Sequence, residues 1–194
     1  MKFYRCCRRL VKIFLAVFYR MRVTGRERLT GDGAIYCCNH TSMTDPIFIG
    51  AFIDAKKPVR YMAKDSLFKN RFMRWLVTKL GGYPVRRDTT DLVALKTSLT
   101  LLKNGERLII FPEGGRRDTD DSDAKGGAGL LAVRTGVPVV PVFLSRGRRV
   151  FSRVRLVFGE AYHPDPGEGK PNGETFARIG EEIMERIREL GRTI

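Results

Sequence analysis

Hydrophobic residues in this chain occur in two patterns: short uninterrupted runs, and longer stretches with a period of three to four residues. The short runs predict strands buried on both faces, and the periodic stretches predict helices that bury one side. The predicted strands span residues 34–38, 59–63, 107–111, 139–144 and 154–158. The predicted helices span residues 88–104, capped by Asp88 or Thr89, 130–135 and 175–190.

This alternation of strands and helices predicts a single α/β domain over residues 23–194, with a mostly parallel central sheet flanked by helices. Ligands of such domains usually bind beyond the carboxyl ends of the strands. Segments 118–129 and 163–173 are rich in Gly, Asp and Pro and are predicted to be loops. No internal repeat or shift in composition indicates a second globular domain.

Residues 1–22 are predicted to form an amphipathic basic helix. On such a helix one stripe is apolar and the stripe beside it is basic: Phe3, Cys7, Leu10, Val11, Phe14 and Phe18, then Lys2, Arg5, Arg9 and Lys12. The uncharged run 13–19 is far shorter than the roughly 20 apolar residues that a spanning helix requires. We therefore expect this helix to lie in the headgroup region of a membrane. The alternative is that the apolar stripe packs onto the domain and the basic face is solvated.

The chain carries 36 Lys and Arg against 21 Asp and Glu in 194 residues, a formal net charge of +15. That excess favours an anionic partner, such as a membrane surface, a phosphorylated substrate or an acidic carrier protein. No helix-turn-helix, aromatic RNP or zinc-finger pattern is present, so nucleic acid is not an expected partner. The four cysteines form two adjacent pairs, which matches neither a disulfide framework nor a metal site. We expect no bound metal or cofactor.

A candidate catalytic pair directly follows the predicted strand 34–38. His40 precedes Asp45 by five residues across a strand-to-helix turn, a spacing that permits a hydrogen bond. An aspartate on one ring nitrogen fixes the tautomer and leaves the other nitrogen to take a proton from a hydroxyl. Nothing marks Ser42 as a nucleophile. The simpler alternative is that His40 packs in the loop while Asp45 begins a helix.

Three further motifs each follow or enter a predicted strand or turn. Residues 81–87 (Gly-Gly-Tyr-Pro-Val-Arg-Arg) place arginines after a tight turn, where a guanidinium can grip a phosphate. Residues 111–117 (Phe-Pro-Glu-Gly-Gly-Arg-Arg) end a strand with glycines whose amides can approach an anion. Residues 137–142 (Val-Pro-Val-Val-Pro-Val) enter a buried strand with prolines that restrict its path.

Taken in order, these motifs resemble the four sequence blocks of the glycerolipid acyltransferase family, which includes bacterial 1-acyl-sn-glycerol-3-phosphate acyltransferases. The resemblance covers residues 23–160. The first three blocks read N-H-x-S-x-x-D, G-x-x-P-V-x-R and F-P-E-G-x-R. The residues that match them are, in order, Asn39, His40, Ser42 and Asp45; Gly81, Pro84, Val85 and Arg87; and Phe111, Pro112, Glu113, Gly114 and Arg116. The fourth block contains Pro138, and the upstream pair Lys125-Gly126 is also similar to the family. Gly115 stands where many members have threonine, and Arg86 adds a cation at a variable position.

The resemblance implies an enzyme that acylates the sn-2 hydroxyl of 1-acylglycerol-3-phosphate (lysophosphatidic acid) to give phosphatidic acid. His40 would be the base and Asp45 would orient it. Two further groups follow from the family: phosphate-binding residues Arg87, Glu113, Gly114 and Arg116, and supporting residues Asn39, Ser42, Gly81, Pro84, Lys125 and Pro138. The co-substrate would be acyl-ACP or acyl-CoA, the thioesters of acyl carrier protein and coenzyme A.

The same resemblance places the protein at the cytoplasmic face of the cell membrane, as a peripheral or monotopic enzyme. The residues expected to contact lipid are Phe3, Leu10, Phe14, Phe18, Arg5, Arg9 and Lys12. Two alternatives stay open. The acceptor could be glycerol-3-phosphate or another lysophospholipid, or the chain could bind anionic membranes without catalysis.

Overall fold

The computed structural model describes residues 2–29, 33–53, 58–86, 91–114 and 126–193. Its centre is a seven-stranded sheet with the order β1-β7-β6-β2-β5-β3-β4. The strands are β1 (Arg20–Thr24), β2 (Ile35–Cys38), β3 (Arg60–Lys64), β4 (Gly82–Val85), β5 (Leu108–Ile110), β6 (Val139–Leu144) and β7 (Arg153–Phe158). Every neighbouring pair is parallel except β6 and β7. The predicted α/β class with a mostly parallel sheet is therefore confirmed.

Six α-helices accompany the sheet: α1 (Lys2–Phe18), α2 (Asp45–Phe52), α3 (Arg71–Lys79), α4 (Leu92–Lys103), α5 (Gly127–Thr135) and α6 (Gly173–Arg192). Apolar residues of α1 and α2 pack on one face of the sheet, and those of α4, α5 and α6 pack on the other. The central strand β2 shows why both faces are needed. Tyr36 and Cys38 point into the first cluster, while Ile35 and Cys37 point into the second. All four are fully buried, as expected for an uninterrupted apolar strand.

Two strands and one helix were not predicted from the sequence. Strand β1 has an Arg-Met-Arg-Val-Thr sequence that leaves alternate residues exposed, and β4 is four residues long and contains Pro84. Both lie at the edges of the sheet, where polar side chains and proline are tolerated. Helix α3 is nine residues long, which is shorter than the window over which a helical period is read from sequence.

The predicted start of the helix that became α4 requires a correction. Its N-cap is Asp91, whose carboxylate accepts hydrogen bonds from the amides of Val93 and Ala94. The caps proposed from the sequence, Asp88 and Thr89, lie outside the described residues. The helix therefore begins at Leu92 rather than at residue 88.

Helix α1 ends at Phe18, earlier than the predicted boundary at residue 22, because residues 20–24 form β1 beside β7. Its predicted apolar stripe is also divided. Tyr4 and Leu15 are buried and Val11 packs against the core, whereas Leu10 and Phe14 are exposed. The helix thus packs onto the domain with one side and leaves a second apolar side uncovered. Among the described helices, none is both long and apolar enough to cross a membrane.

Helices α5 and α6 cross closely at a glycine. A Cβ atom added to Gly129 would lie 2.4 Å from the backbone oxygen of Phe176, so the two backbones leave no room for a side chain. Helix α6 is held in place at its start by a capping box between Asn172 and Thr175. Its buried residues then cover α5 and the sheet.

We expect Gly129→Ala to lower the free energy of unfolding by about 1–3 kcal/mol, because the added methyl group must push the two helices apart. Gly127→Ala is the matched control in the same helix, since a Cβ atom there meets nothing within 4 Å. It should leave stability unchanged or slightly higher. Urea denaturation of both variants measures the difference, and equal stabilities would contradict this account of the α5–α6 contact.

Candidate active site

The first sequence motif begins where β2 ends, and a side chain joins that end to β6. The amide of Asn39 donates to the backbone oxygen of Leu144 at 2.9 Å and accepts from the Leu144 backbone N–H at 2.9 Å. Asn39 therefore continues the β2–β6 ladder with its side chain after the strand itself has ended. This fixes the direction in which the following residue, His40, leaves the sheet.

His40 and Asp45 form a buried hydrogen-bonded pair. The Nδ1 atom of His40 lies 2.9 Å from Oδ2 of Asp45, and the side chains are 6% and 0% exposed. The same Oδ2 accepts the backbone N–H groups of Thr41 (2.7 Å) and Ser42 (2.8 Å). Asp45 is the first residue of α2, where the helix dipole favours a negative charge. The hydrogen bond that the five-residue spacing permitted is thus present.

The second carboxylate oxygen of Asp45 is held by an arginine that the sequence did not single out. The guanidinium of Arg148, 6% exposed, donates to Asp45 Oδ1, to Thr41 Oγ1 at 3.2 Å and to the backbone oxygen of Ser145 at 2.7 Å. It also lies over the ring of Phe48, 5.1 Å from the centroid. All of these contacts fix Arg148 against the dyad.

Burial alone raises the pKa of the Asp45 carboxyl. The hydrogen bonds from His40, from Ser42 and Thr41, and the charge of Arg148 outweigh burial, so the pKa of Asp45 is lowered below its ordinary value. An ionised Asp45 accepts a hydrogen bond from the Nδ1–H group of His40. In this tautomer the lone pair of the imidazole is on Nε2, which is the arrangement that a general base requires.

The third motif supports the dyad from the opposite side. The ring of Phe111 is stacked on His40 with centroids 4.0 Å apart, and Oε1 of Glu113 accepts the His40 backbone N–H at 3.2 Å. Glu113 is 1% exposed. Its predicted contact with a substrate phosphate stays a prediction: one oxygen of this buried carboxylate faces the backbone amide of His40.

Ser42 does not contact His40 through its side chain. Its hydroxyl is hydrogen-bonded to the hydroxyl of Thr44 at 2.9 Å. Among the described residues, the side-chain hydrogen bonds of His40 and Ser42 therefore do not link the imidazole to a hydroxyl, which is the link that an activated protein nucleophile requires.

Of the other predicted site residues, four are described by the structure and three lie outside its described part. Gly81 has a positive φ of 101°, and a Cβ there would lie 2.3 Å from the Val59 backbone oxygen, so its place at the turn before β4 requires glycine. Pro84 lies within β4 and Pro138 directly precedes β6, where its oxygen accepts the Ile35 N–H. Gly114 ends the described part of the third motif. Three residues lie outside the described part of the chain: Arg87, Arg116 and Lys125.

Two cavities flank the segment that runs from the dyad into α2. A polar cavity of about 470 Å³ is lined by side chains that include Thr41, Ser42, Thr44, Arg146 and Arg149. An apolar cavity of about 330 Å³ lies between α1, α2 and α3 and is lined by residues that include Met43, Ile47, Gly50, Val11 and Val77. Neighbouring residues of this segment thus line different cavities: Ser42 and Thr44 line the polar one, and Met43 between them lines the apolar one.

Arg148 is the main functional residue that the sequence did not reveal. Three arginines follow β6 within four residues, Arg146, Arg148 and Arg149, and no acidic residue lies among them. Their position after a strand of the site is a signal that one of them reaches the ligand region. Only the folded loop distinguishes the buried Arg148 from the exposed Arg149.

Comparisons with known proteins agree on one family. Residues 20–145 match the model of the family described as Acyltransferase. The 1-acyl-sn-glycerol-3-phosphate acyltransferase of Bacillus subtilis (strain 168) is 32% identical over 193 residues, covering 96% of each chain. That of Streptococcus pneumoniae is 36% identical over 112 residues, covering 57% of this chain and 41% of the relative.

A solved structure shows the same fold. The crystal structure of the 1-acyl-sn-glycerophosphate (LPA) acyltransferase PlsC from Thermotoga maritima has a TM-score of 0.72 and 28% sequence identity to this chain. The match covers 97% of this chain and 79% of that one.

We expect Arg148→Met to lower the free energy of unfolding at pH 7 by about 3 kcal/mol, because it leaves the buried charge of Asp45 without its cationic partner. Arg149→Met changes an exposed neighbour and should have little effect. The pKa of Asp45 is lowered in the folded chain, so its stabilising contribution is complete above about pH 4 and is lost at lower pH. The difference in the free energy of unfolding between wild type and Arg148→Met should therefore become smaller on acidification. Urea titrations at several pH values test both statements, and similar losses in the two variants would contradict them.

Proposed function

This chain belongs to the acyltransferase family, and on that premise we propose that it acylates the sn-2 hydroxyl of 1-acyl-sn-glycerol-3-phosphate to give phosphatidic acid. The observation that carries the mechanism is the buried His40–Asp45 hydrogen bond of 2.9 Å at the end of β2. The donor is a fatty acyl thioester of acyl carrier protein or of coenzyme A. No bound cofactor takes part in the proposed reaction.

In the first step, Nε2 of His40 removes the proton of the sn-2 hydroxyl while its oxygen attacks the thioester carbonyl carbon. The imidazolium that forms is stabilised by Asp45, whose negative charge is maintained by Arg148 and by two backbone amides. A general base of this kind contributes roughly 10²–10⁴-fold to the rate. In the second step, the tetrahedral intermediate expels the thiolate, which takes the proton back from His40.

The phosphate of the acceptor is proposed to bind beside the ends of β4 and β5. These strands run parallel to β2 through the sheet, so their carboxyl ends lie at the same edge as His40. Arg87 follows the end of β4, and Arg116 follows Gly114 two residues later. A guanidinium at this edge would hold the phosphate so that the sn-2 hydroxyl lies near Nε2, and such positioning can supply much of the rate enhancement.

The two cavities suit the two halves of an acyl donor. The apolar cavity between α1, α2 and α3 is proposed to receive a fatty acyl chain, because its lining is almost entirely hydrophobic. The polar cavity, with Arg146 and Arg149 in its wall, is proposed to receive the anionic carrier portion of the donor. The carbonyl of the thioester would then lie near the dyad, between the two.

The acceptor and the product are membrane lipids, and we propose that the enzyme works at the cytoplasmic face of the membrane as a peripheral or monotopic protein. The exposed apolar side of α1 supports this location, because Leu10, Phe14 and their neighbours are uncovered. The basic residues of the same helix suit an anionic headgroup layer.

The test of the proposed reaction is conversion of lysophosphatidic acid and a long-chain acyl thioester to phosphatidic acid in mixed micelles. We expect His40→Gln to lower the rate by about 10²-fold or more, because the base is lost. His163→Gln is the matched control, since His163 is the only other histidine and is exposed. Circular dichroism establishes that both variants are folded.

Equal rates in wild type and His40→Gln would refute the role of His40. Absence of product with both classes of donor, from folded wild-type protein, would refute the acceptor assignment. Parallel reactions with glycerol-3-phosphate and other lysophospholipids then identify which acceptor the site takes.

We expect Gly50→Leu to shift the enzyme toward shorter acyl chains. Gly50 lines the apolar cavity, and a Cβ atom there meets nothing within 4 Å, so the new side chain would fill space rather than disturb α2. Competition between saturated acyl thioesters of different lengths measures the shift, and Gly50→Ala should show a smaller one. An unchanged length preference in a folded Gly50→Leu variant would place the acyl chain elsewhere.

A further inference from the structure

The uncovered side of α1 is apolar over the C-terminal half of the helix. Leu10, Ile13, Phe14 and Val17 are each more than half exposed, while Tyr4 and Leu15 on the opposite side are buried. The helix carries five basic residues and no acidic one. At 17 residues it is about 25 Å long, so its two ends contact different parts of the domain.

At the C-terminal end of α1, the loop between β6 and β7 (residues 145–152) adds two exposed apolar side chains. Val150 is 55% and Phe151 is 63% exposed. The Phe151 backbone N–H donates to the Phe18 oxygen at 2.7 Å, and the Phe151 and Phe18 rings are 6.2 Å apart. Phe18 in turn lies 4.6 Å from Phe14, centroid to centroid. The loop therefore extends the apolar side of α1 rather than forming a separate patch.

The backbone of Phe151 makes this exposure unusual. Its φ of 63° is the only positive value at a non-glycine residue in the described part of the chain. A bulky residue in that region is strained relative to glycine. The chain thus holds a largely exposed aromatic ring on a backbone conformation that would suit glycine better.

At the N-terminal end of α1, helix α3 adds two more exposed aromatic rings. Phe72 is 65% and Trp75 is 47% exposed, and their rings are 6.2 Å apart. Trp75 also contacts Phe3 of α1, with centroids 5.2 Å apart. The same nine-residue helix carries three exposed basic residues, Arg71, Arg74 and Lys79.

We infer that α3, α1 and the β6–β7 loop form one membrane-contact surface, with the aromatic residues of α3 and of the loop entering an anionic bilayer at the two ends of α1. This inference rests on the proposed membrane location of the enzyme and extends it to two elements of the catalytic domain. Aromatic side chains favour the membrane–water interface, where one side is apolar and the other is wet.

Charge favours lipid over a second copy of this chain as the occupant of this surface. Residues 134–155 contain six arginines and no acidic residue, and α1 contains only basic charges. Two such surfaces would repel each other, whereas anionic headgroups attract each basic residue near the surface. Exposed aromatic rings surrounded by arginine and lysine therefore match a bilayer.

A membrane bound to this surface would lie close to the His40–Asp45 dyad. Arg148, which holds Asp45, lies two residues before Val150 in the same loop. Tyr19, directly after α1, lines the polar cavity and packs edge-on against Phe48, 5.2 Å from ring to ring. A lysophospholipid in the contacted leaflet therefore has a short path to His40.

The single tryptophan of the chain, Trp75, lies within the inferred surface and makes the test direct. Wild-type protein is mixed with vesicles of phosphatidylcholine and phosphatidylglycerol, with and without brominated acyl chains. We expect a blue shift of Trp75 emission and quenching by the brominated lipid. The double variant Trp75→Phe/Phe151→Trp reports the loop in the same way, and it should also be quenched. If vesicles bind the protein but neither tryptophan is quenched, α1 alone contacts the bilayer and the inference is wrong.

A second variant separates lipid contact from folding. Phe151→Gly removes the ring and suits the positive φ, so we expect unchanged or higher stability together with roughly tenfold weaker binding to the anionic vesicles in sedimentation. Phe151→Leu keeps an apolar side chain and should bind more tightly than Phe151→Gly. Vesicle binding of Phe151→Gly equal to that of wild type would overturn the role of the loop.

Two further outcomes identify other causes. Failure of the wild-type protein to sediment with anionic vesicles would overturn the proposed membrane location and this inference together, while the acyltransferase assay in micelles would still stand. A dimer in analytical ultracentrifugation that Phe151→Gly dissociates would show that a second copy of the chain, and not lipid, covers the surface.

Discussion

The site depends on keeping one carboxylate charged in the interior of the protein. Asp45 is fully buried, and an ion in that position is costly unless every oxygen is satisfied. Its two oxygens are satisfied by His40, by the amides of Thr41 and Ser42, and by Arg148. Three of these donors, His40, Thr41 and Ser42, come from the loop that Asp45 itself closes, so the motif can form locally. The fourth, Arg148, comes from more than a hundred residues later and makes the local motif depend on the complete sheet.

The order of the strands explains how that distant arginine arrives. Strand β2 lies between β6 and β5, so the chain segments that follow both neighbours emerge beside His40. Asn39 joins the ends of β2 and β6 by pairing with Leu144, and the loop after β6 brings Arg148 to Asp45. The segment after β5 brings Glu113 to the His40 backbone. The dyad is therefore positioned from both sides by loops that parallel pairing places at one edge of the sheet.

The sequence predicted the parts of this arrangement that depend on local pattern. Central strands were found because burial on both faces requires uninterrupted apolar runs, whereas β1 and β4 were missed because edge strands tolerate arginine and proline. The His40–Asp45 contact followed from a five-residue spacing. The contact of Arg148 with Asp45 could not be predicted, because three arginines lie close together in the sequence and only the path of the folded loop determines which one reaches Asp45. The contact of Glu113 with the His40 backbone was not predicted for a related reason: spacing places a side chain near a site but does not say which atom it faces.

Helix α1 shows why a hydrophobic stripe read from sequence can combine two surfaces with different purposes. Tyr4 and Val11 line one wall of the apolar cavity and Leu15 packs into the core, which leaves Leu10 and Phe14 facing outward. In an enzyme that acts in water, a polar outer side would improve solubility and resist association. Its retention of apolar side chains beside a cavity suited to an acyl chain is what an enzyme acting on a membrane lipid requires. One side of α1 lines the apolar cavity beside the dyad, and the other side exposes apolar residues that suit the hydrocarbon of a membrane. The two environments that the reaction must bring together are therefore separated by a single helix.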